Sequence, residues 1–204
     1  MKNCSQNGKF IVFEGLDGSG KTSQISRIVQ HMQGNCITTK EPSDGLIGQL
    51  ARNSVRGIAS FAPEAMALLF AADRLDHIAK IIRPALEAGT HVLCDRYVYS
   101  NLAYQGMDIP LQTIAAYNSA AFDFVVPDLT IFLDTSPQEC TQRILASRTE
   151  TELYDGLEYA AKIREQYFHA FECFKHKMPV THINGDAQKS AVTSMILEAV
   201  AKLT

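Results

Sequence analysis

The sequence predicts an α/β fold in which helices cover both faces of a parallel β-sheet. Along the 204 residues, short apolar runs of strand length alternate with longer amphipathic runs of helix length, and this alternation is typical of parallel sheets. A glycine-rich segment at residues 15–22 joins the first such strand to the first helix. Because the sequence contains no repeat, low-complexity tract or linker, we expect a single domain over residues 1–204.

The first two strands flank an amphipathic helix. Residues 10–13 form an uninterrupted apolar run and predict the first strand. The helix after the glycine-rich segment should bury one face, because four apolar residues recur at helical spacing: Ile25, Ile28, Val29 and Met32. Gly34 is the expected end of this helix, since glycine readily adopts the left-handed backbone of helix ends. A second strand is predicted at residues 37–40, before Pro42 interrupts regular structure.

A long helix is predicted in the middle of the chain. Pro63 suits a first helical turn, and the pattern runs from there towards Glu87, with Gly89 just beyond. Pro84 lies inside this pattern and should kink or shorten the helix, because proline lacks the N–H that a helix interior uses.

The rest of the chain contains three more predicted strands and two more predicted helices. Further strands are predicted at residues 91–94, 129–133 and 180–183. Ser136 and Pro137 are typical of an N-cap and a first helical position, so a helix should run from there through Arg143. A closing helix is predicted at residues 188–202.

Composition excludes several classes of protein. The chain is 46% apolar and 20% charged, with a formal net charge of −3, which argues against a nucleic-acid partner because such proteins carry clustered Lys and Arg. Its apolar runs are broken well before the roughly 18 residues that a membrane span needs, so no membrane segment is expected. The polar start lacks the apolar core of a signal peptide.

The cysteines indicate a reducing compartment. They are odd in number and scattered, and none forms Cys-x-x-Cys: Cys4, Cys36, Cys94, Cys140 and Cys173. This spacing predicts neither a disulfide framework nor a zinc site. We therefore expect reduced, mostly packed thiols and a cytoplasmic location.

One motif predicts binding of a nucleoside triphosphate. The pattern G-x-x-x-x-G-K-[ST] is matched, between a strand and a helix, by Gly15-Leu16-Asp17-Gly18-Ser19-Gly20-Lys21-Thr22. In such a loop, backbone N–H groups and the helix N-terminus surround the phosphates. Lys21 would bridge the β- and γ-phosphates of ATP, and the Thr22 hydroxyl would ligate Mg²⁺. This is the loop of P-loop NTPases, a class that includes GTPases, motors and small-molecule kinases.

Two observations favour a small-molecule kinase. The sequence lacks the Asn-Lys-x-Asp that reads guanine, and 204 residues leave little room for the additional domains of a motor. Asp95 and Arg96 end a predicted strand, at the sheet edge where ligands gather in open α/β folds. Asp95 would help to hold the metal and Arg96 a phosphate. Asp134 also ends a strand and is an alternative metal-side acid, or a structural one.

Residues 95–105 closely resemble the D-R-Y-x-x-S-x-x-A-Y-Q signature of thymidylate kinases. The resemblance extends over nearly the whole chain, through residues 13–15, 41–42, 70–74 and 127–129. It implies a nucleoside monophosphate kinase-like fold with a short lid, at about residues 146–159. The implied reaction transfers the γ-phosphate of ATP to dTMP, giving dTDP and ADP, in the pathway to dTTP. Family members are usually homodimers.

The spacing of Phe70 and Arg74 agrees with this resemblance. Four residues apart on a predicted helix, they share one face, so a ring could stack on a pyrimidine while a guanidinium donates to its edge. Without the resemblance, core packing of Phe70 and an ion pair of Arg74 with Asp73 or Asp76 would be favoured. The whole set implied to bind dTMP is Glu41, Pro42, Arg52, Phe70, Arg74, Arg96, Ser100, Asn101, Tyr104 and Gln105.

Individual roles follow from the family. Asn101 is implied to contact the base edge, and Tyr104 to line the deoxyribose. Asp17 is implied to approach the sugar hydroxyl and the water shell of the metal, while Glu14 has either a similar role or a nearby cationic partner. Arg52 would join Arg96 on the acceptor phosphate, unless it is a solvated helix arginine.

The chemistry needs alignment and charge balance more than a base. The acceptor is a phosphate with a second pKa of about 6 and is largely ionised at neutral pH, so none of the six histidines is required. The loop carries no arginine, so Arg143 or Arg148 of the lid should contact the transferring phosphate. Many relatives have arginine at the position of Leu153, which leaves the choice of lid arginine open. The predicted catalytic residues are Lys21, Asp17, Arg96, Arg143 and Arg148.

Two other functions compete with this prediction. A deoxynucleoside kinase would use the strand-end acid to deprotonate a sugar hydroxyl. A regulatory nucleotide-binding module would bind ATP without turnover, although the presence of Lys21, Thr22, Asp95 and Arg96 argues against it.

Overall fold

The computed structural model describes residues 8–32, 35–147 and 156–203, and within them five parallel strands form one sheet. The strand order is β2-β3-β1-β4-β5. The strands are β1 (Phe10–Glu14), β2 (Cys36–Lys40), β3 (His91–Asp95), β4 (Leu129–Asp134) and β5 (Val180–Asn184). All neighbouring strands are parallel. The predicted parallel sheet is therefore confirmed, and each predicted strand ends within one residue of its observed limits.

Strand β1 lies at the centre of the sheet and separates two apolar cores. All five of its residues are buried. Side chains alternate along a strand, and accordingly Phe10 and Val12 belong to one core while Ile11 and Phe13 belong to the other. A strand that is covered on both faces needs apolar residues throughout, which explains the uninterrupted apolar run in the sequence.

Helices cover both faces, as predicted. In the described residues they are α1 (Lys21–His31), α2 (Leu46–Val55), α3 (Pro63–His77), α4 (Arg83–Glu87), α5 (Val98–Gln105), α6 (Leu111–Tyr117), α7 (Ser119–Phe124), α8 (Pro137–Ser147), α9 (Leu157–Phe174) and α10 (Lys189–Ala201). On one face, α1 and α10 contribute Ile28 and Ile196 to a core. On the other, α5 and α9 contribute Tyr99 and Tyr167. None of the described helices is long and apolar enough to cross a membrane.

The long helix predicted from Pro63 changes its hydrogen-bond register before Pro84. Between α3 and α4, residues Ile78–Ile82 form a π-helical segment, and the N–H of Arg83 donates to the carbonyl of Ile78, five residues earlier. Proline removes one helical hydrogen bond and its ring collides with the preceding turn. A single wider turn accommodates Pro84 at the start of α4, so the predicted kink takes the form of a π-bulge.

Helix ends match the predicted caps where the structure describes them. The N–H of Glu139 donates to Ser136 Oγ (3.4 Å), so Ser136 caps α8. This helix continues past Arg143 to Ser147. Helix α10 lies within the predicted range. Gly34, the expected end of α1, is outside the described residues.

Several helices were not predicted from the pattern. Helix α5 shows the reason most clearly, because all eight of its residues are buried and it therefore has no polar face to reveal its period. Helices α6 and α7 are only seven and six residues long, which is too short for a periodic pattern to stand out. The resulting fold brings the carboxyl ends of β1, β3 and β4 to one edge of the sheet, where the candidate site lies.

Candidate active site

The phosphate loop joins β1 to α1 in a conformation that glycine makes possible. Gly18 has a φ of 77°, in the left-handed region, and a Cβ atom there would lie 2.4 Å from the carbonyl oxygen of Cys140. Any other residue would therefore be both strained and in collision with α8. The loop sequence thus dictates a tight turn that ends at the N-terminus of α1.

Lys21 lies folded over this loop. Its Nζ donates to the carbonyl oxygens of Gly15 (3.1 Å) and Leu16 (2.9 Å), and it lies 4.0 Å from Asp95 Oδ1. The side chain is buried. Burial, followed by the charge of Arg96, lowers the pKa of Lys21. An anionic ligand on the loop would counter both effects, because it stabilises the ammonium form.

Thr22 and Asp95 meet where β3 ends. The Thr22 hydroxyl donates to Asp95 Oδ2 (2.8 Å), while Asp95 Oδ1 is buried and has no hydrogen-bond partner. A hydroxyl beside a carboxylate is the donor set that Mg²⁺ prefers. An unsatisfied buried carboxylate oxygen at this position therefore fits a site for a hard divalent cation.

Asp134, the alternative acid, is engaged elsewhere. Its two oxygens accept from Arg164 Nε (2.7 Å) and Nη2 (3.0 Å), in a bidentate ion pair. Arg164 also packs over the ring of Phe168 at 4.7 Å. Of the two possibilities weighed for Asp134, the geometry favours the structural one.

Arg96 has an unusual backbone and a fully engaged side chain. With a φ of 74° it is the one non-glycine residue with a left-handed backbone in the described chain, a conformation that concentrates at functional sites. Its Nη2 donates to Asp17 Oδ1 and to the Tyr104 hydroxyl, both at 2.9 Å. Its Nη1 donates to Ser100 Oγ (2.9 Å) and the Tyr167 hydroxyl (3.1 Å). The guanidinium is thereby held at the mouth of the phosphate loop.

Glu14 supports this arrangement from beneath. Its Oε1 accepts from the backbone N–H of Tyr97 (2.9 Å) and Ser100 (3.2 Å), and its Oε2 from Ser100 Oγ (2.5 Å) and the Tyr167 hydroxyl (3.0 Å). Burial, the largest cause, raises the pKa of Glu14, and the hydrogen bond from Ser100 opposes it. Glu14 therefore fixes the start of α5 and does not take the role of Asp17. Tyr167, which the sequence analysis missed, joins Glu14 to Arg96.

All ten residues expected to bind dTMP line one cavity, the acceptor cavity. The cavity opens to solvent and has an accessible volume of about 190 Å³. Besides those ten, the lining includes Asp17, Val55, Arg56 and Tyr97. Phe70 is half-buried and lies outside both apolar cores of the described residues, so core packing does not account for it.

Arg74 is held rigidly at the wall of this cavity. It is 1% exposed, and its Nη2 donates to the carbonyl oxygen of Tyr97 (3.1 Å) and lies 2.7 Å from Glu41 Oε2. No N–H points directly at that oxygen, so the contact is ionic without a directed hydrogen bond. The alternative ion-pair partners of Arg74 are occupied by other groups. Asp73 accepts from the backbone N–H of Ser43 (2.7 Å), and Asp76 pairs with Lys80 (2.7 Å).

A buried chain of polar groups continues behind Glu41. Its Oε1 lies 3.2 Å from His77 Nδ1, and His77 Nε2 lies 2.6 Å from Thr39 Oγ1. Because a carboxylate only accepts, His77 must carry its proton on Nδ1. Cys94 lies close to Glu41 and His77, so these three side chains together resemble a set of metal ligands. Burial raises the pKa of the Cys94 thiol well above its usual range, which disfavours the thiolate that would bind a metal. Glu41 is already paired with Arg74. Glu41, His77 and Thr39 therefore form a hydrogen-bonded support for Arg74.

A second cavity continues from the first towards the phosphate loop. Its lining includes Lys21, Thr22 and Asp95, and it shares Asp17, Glu41 and Arg96 with the acceptor cavity. The two cavities thus meet at Arg96. The predicted acceptor residues and the predicted metal and loop residues therefore face a common space.

A third cavity lies on the other side of the loop. Its lining comprises Ser19, Gly20, Ser23, Gln24, Arg143, Gly185, Ala187, Lys189 and Val192. Arg143 Nη1 lies 3.4 Å and 3.3 Å from the carbonyl oxygens of Gly18 and Ser19, and its Nε donates to Glu139 (2.8 Å). Arg143 lines this third cavity and neither of the other two. Arg148 and Leu153 of the predicted lid are outside the described residues.

Comparison with known proteins identifies the family. The family model described as thymidylate kinase matches residues 13–196. The chain is 42% identical over 177 residues to a probable thymidylate kinase of Pyrococcus abyssi, covering 82% of this chain and 85% of that one. It is 38% identical over 198 residues to a probable thymidylate kinase of Methanococcus aeolicus, covering 96% and 95%. It is 34% identical to the thymidylate kinase of Ligilactobacillus salivarius, covering 89% and 93%.

These matches agree with the geometry and confirm the resemblance drawn from the sequence motifs. The parallel sheet, the phosphate loop and the adjoining cavities are those of a nucleoside monophosphate kinase. The chain belongs to the thymidylate kinase family.

Proposed function

We propose that this kinase transfers the γ-phosphate of ATP to dTMP, giving dTDP and ADP, on the route to dTTP. One observation carries the proposal. Within the described residues, four buried side-chain atoms have no hydrogen-bond partner: Ser19 Oγ, Glu41 Oε2, Arg74 Nε and Asp95 Oδ1. Native proteins leave few buried polar atoms unsatisfied. Glu41 Oε2 has Arg74 Nη2 as its ionic partner at 2.7 Å. The other three atoms lie on the phosphate loop, on the strand-end acid and on Arg74 at the wall of the acceptor cavity, where ligands would complete them.

The acceptor cavity suits dTMP in both shape and charge. Phe70 offers a ring for stacking on thymine, and Arg74 offers donors for its 4-oxo group. The phosphate end would be held by Arg52 and Arg96. Arg52 donates to the carbonyl of Pro42 (2.6 Å) and pairs with Asp44 at 3.2 Å, which places its charge at the rim of the cavity.

The Asp17–Arg96 ion pair is expected to open when dTMP binds. The pair is 2.9 Å long, and its two members line both adjoining cavities. An acceptor phosphate would compete for Arg96 with a larger charge than one carboxylate. Asp17 would then be released towards the sugar hydroxyl. Tyr104, whose hydroxyl lies 3.2 Å from Asp17 Oδ2, would line the deoxyribose.

On the donor side, ATP would lie along the phosphate loop. Loop N–H groups and Lys21 would hold its phosphates, and the third cavity beside Gly185 and Ala187 would take the adenine. Thr22 and Asp95 fit a bound Mg²⁺, which would supply charge neutralisation on the donor phosphates. In this arrangement Arg143 lies nearer to the adenine, which favours Arg148 of the lid, residues 146–159, as the arginine on the transferring phosphate.

Transfer itself needs alignment and not proton abstraction. The acceptor phosphate is already largely ionised at neutral pH, with a second pKa of about 6. Lys21, Arg96 and the lid arginine would balance charge on the transferring oxygens, while closure of the lid excludes water.

An acceptor panel tests the proposal. Purified protein would be given ATP and Mg²⁺ with dTMP, dUMP, dCMP, dAMP or thymidine, and with dTMP in the presence of EDTA. We expect dTMP to have the highest kcat/KM, equal amounts of dTDP and ADP, and no turnover in EDTA. Faster use of thymidine would identify a deoxynucleoside kinase. Tight ATP binding without turnover of any acceptor would identify a regulatory module.

We also propose that the chain acts as a single-domain cytoplasmic homodimer. Large apolar side chains are exposed on α2, α3 and the loop between them: Leu46, Leu50, Ile58, Phe61 and Leu68. Exposed apolar groups so close together are typical of interaction surfaces. The four cysteines in the described residues are free thiols, which suits a reducing compartment. Light scattering should give a dimer mass that Leu68→Glu lowers towards that of the monomer.

A further inference from the structure

Asn118 is a buried residue for which the sequence analysis found no role. It lies between α6 and α7, behind the acceptor cavity, and is 1% exposed. Its Oδ1 accepts from Arg74 Nη1. Its Nδ2 donates to Asn101 Oδ1 (2.9 Å) and to the carbonyl oxygen of Ile114 (2.8 Å). Asn118 thus joins two residues of the cavity wall that come from different helices, α3 and α5.

The orientation of the Asn118 amide follows from its partners. A guanidinium only donates, so the atom facing Arg74 must be the oxygen. A backbone carbonyl only accepts, so the atom facing Ile114 must be the nitrogen. The side chain therefore has one arrangement that satisfies both neighbours, and reversing the amide would break both contacts.

This arrangement determines which atom of Asn101 faces Arg74. Because Asn118 presents an N–H, Asn101 must turn its oxygen towards it, and this oxygen then lies 3.4 Å from Arg74 Nη1. The nitrogen of Asn101 points the other way and donates to Gln105 Oε1 (2.9 Å). Arg74 Nη1 and Asn101 Oδ1 thus face each other across a long contact at the wall of the cavity. A ligand edge with an acceptor beside a donor would replace this one contact with two, because it accepts from Arg74 and donates to Asn101.

We propose that Asn118 is a positioning residue that sets this donor–acceptor pair and thereby makes the enzyme prefer a 4-oxo pyrimidine to a 4-amino one. The inference rests on the proposed function. Thymine presents an acceptor at O4 beside a donor at N3, which complements the pair. Cytosine presents a donor at N4 beside an acceptor at N3 and opposes the pair at both positions. Asn118 acts through Arg74 and Asn101, because it does not line the cavity itself.

The sharpest test is Asn118→Asp. The carboxylate still accepts from Arg74, but it has no N–H for Asn101 or Ile114 and can only accept. Asn101 should respond by reversing its amide, which places two donors side by side and removes the complement to thymine N3–H. The kcat/KM ratio for dTMP over dCMP should fall by about tenfold or more, because mismatched hydrogen-bonding groups in a buried site are strongly discriminating. The KM for ATP should stay within about twofold of the wild-type value.

Two further variants separate this role from support of helix α6. Gln112→Glu makes the same amide-to-acid change on the exposed side of α6 and should leave the dTMP/dCMP ratio unchanged. Asn118→Ala removes all contacts without adding charge, so it should also lower the ratio and raise the KM for dTMP by about tenfold. This variant serves as the test if the aspartate variant does not fold.

The possible outcomes are distinguishable. If folded Asn118 variants lose thermal stability but keep the wild-type ratio of dTMP to dCMP, Asn118 only caps α6 and the inference is wrong. If the wild-type enzyme does not phosphorylate dTMP, the proposed function fails instead, whatever the variants do.

Discussion

The donor side and the acceptor side of the site are built in different ways. The phosphate loop is one contiguous segment whose conformation depends on glycines such as Gly18, and we expect its backbone to do most of the binding. The acceptor cavity draws side chains from α2, α3, α5 and the segment after β2, and buried polar contacts hold them in place. A contiguous backbone site tolerates change in its neighbours. We expect a site assembled from many elements to depend also on residues that do not line it, such as Asn118.

The largest effect should come from the donor side. Lys21→Ala removes the one loop side chain that would contact the β- and γ-phosphates, so we expect kcat to fall by about 10³ or more. Coupled measurement of ADP release would show this. Lys80→Ala, which removes an exposed lysine paired with Asp76, is the matched control. A fall of less than tenfold for Lys21→Ala would mean that the backbone alone stabilises the transferring phosphate.

One arginine in the lid or beside it should contribute nearly as much, and the candidates are Arg148 and Arg143. Arg148→Ala should lower kcat by about 10³ with little change in the KM for dTMP, as for a contact made in the transition state. Arg143→Ala should mainly raise the KM for ATP, because Arg143 lines the third cavity. Steady-state kinetics of both variants decide between them, and the reverse pattern would assign the catalytic contact to Arg143.

On the acceptor side, Arg74→Ala should lower kcat/KM for dTMP by about 10² while ATP binding is retained. Removal of this cation also leaves Glu41 buried without a charge partner, at a cost of roughly 3–5 kcal/mol in the free energy of unfolding. The double variant Arg74→Met/Glu41→Gln removes both charges and should recover much of that stability but none of the activity. Equal losses of dTMP turnover and ATP binding would show that Arg74 serves the fold.

Glu14 links the two sides and should influence stability in a pH-dependent way. Its pKa is raised in the folded protein, so folding favours its protonated form. Its contribution to stability is therefore present at low pH and is lost as the pH rises through the raised pKa. The free energy of unfolding of the wild-type protein, relative to that of the Glu14→Gln variant, should be lower at pH 8 than at pH 4.5. Urea titrations at both values would measure this difference, and an equal difference at each would contradict it.

The smallest effect is expected outside both sides. Asp134→Asn weakens a partly exposed ion pair with Arg164, and such pairs contribute about 0–1 kcal/mol. We expect kcat within about twofold of wild type, whereas Asp95→Asn should lower it by about 10². Parallel assays of the two variants test the assignment of the metal-side acid. A comparable loss of kcat in both variants would indicate that Asp134 also acts in the site.

The acceptor residues that the sequence identified and those that it missed differ in a specific way. Phe70, Arg74 and Arg96 belong to contiguous motifs of the family, and all three line the acceptor cavity. Asn118, His77 and Tyr167 lie on segments without a motif, at distances of 44, 36 and 153 residues from their polar partners Arg74, Glu41 and Glu14. No local pattern encodes such contacts. Other polar residues lie close to each of the three in the sequence, so nothing local marks them as buried hydrogen-bonding groups.

The sequence alone was enough to predict the parallel sheet, the phosphate loop and ten residues that line one cavity. Strand periodicity, glycine conformations and short motifs are local properties of the chain. Only the tertiary structure shows that Arg164 of a distant helix pairs with Asp134, while Asp95 Oδ1 has no hydrogen-bond partner. The orientations of Arg74 and Asn101 likewise depend on buried partners from separate segments of the chain: Glu41, Gln105 and Asn118. Where partners are remote in sequence, hydrogen-bond geometry becomes defined only when the chain is folded.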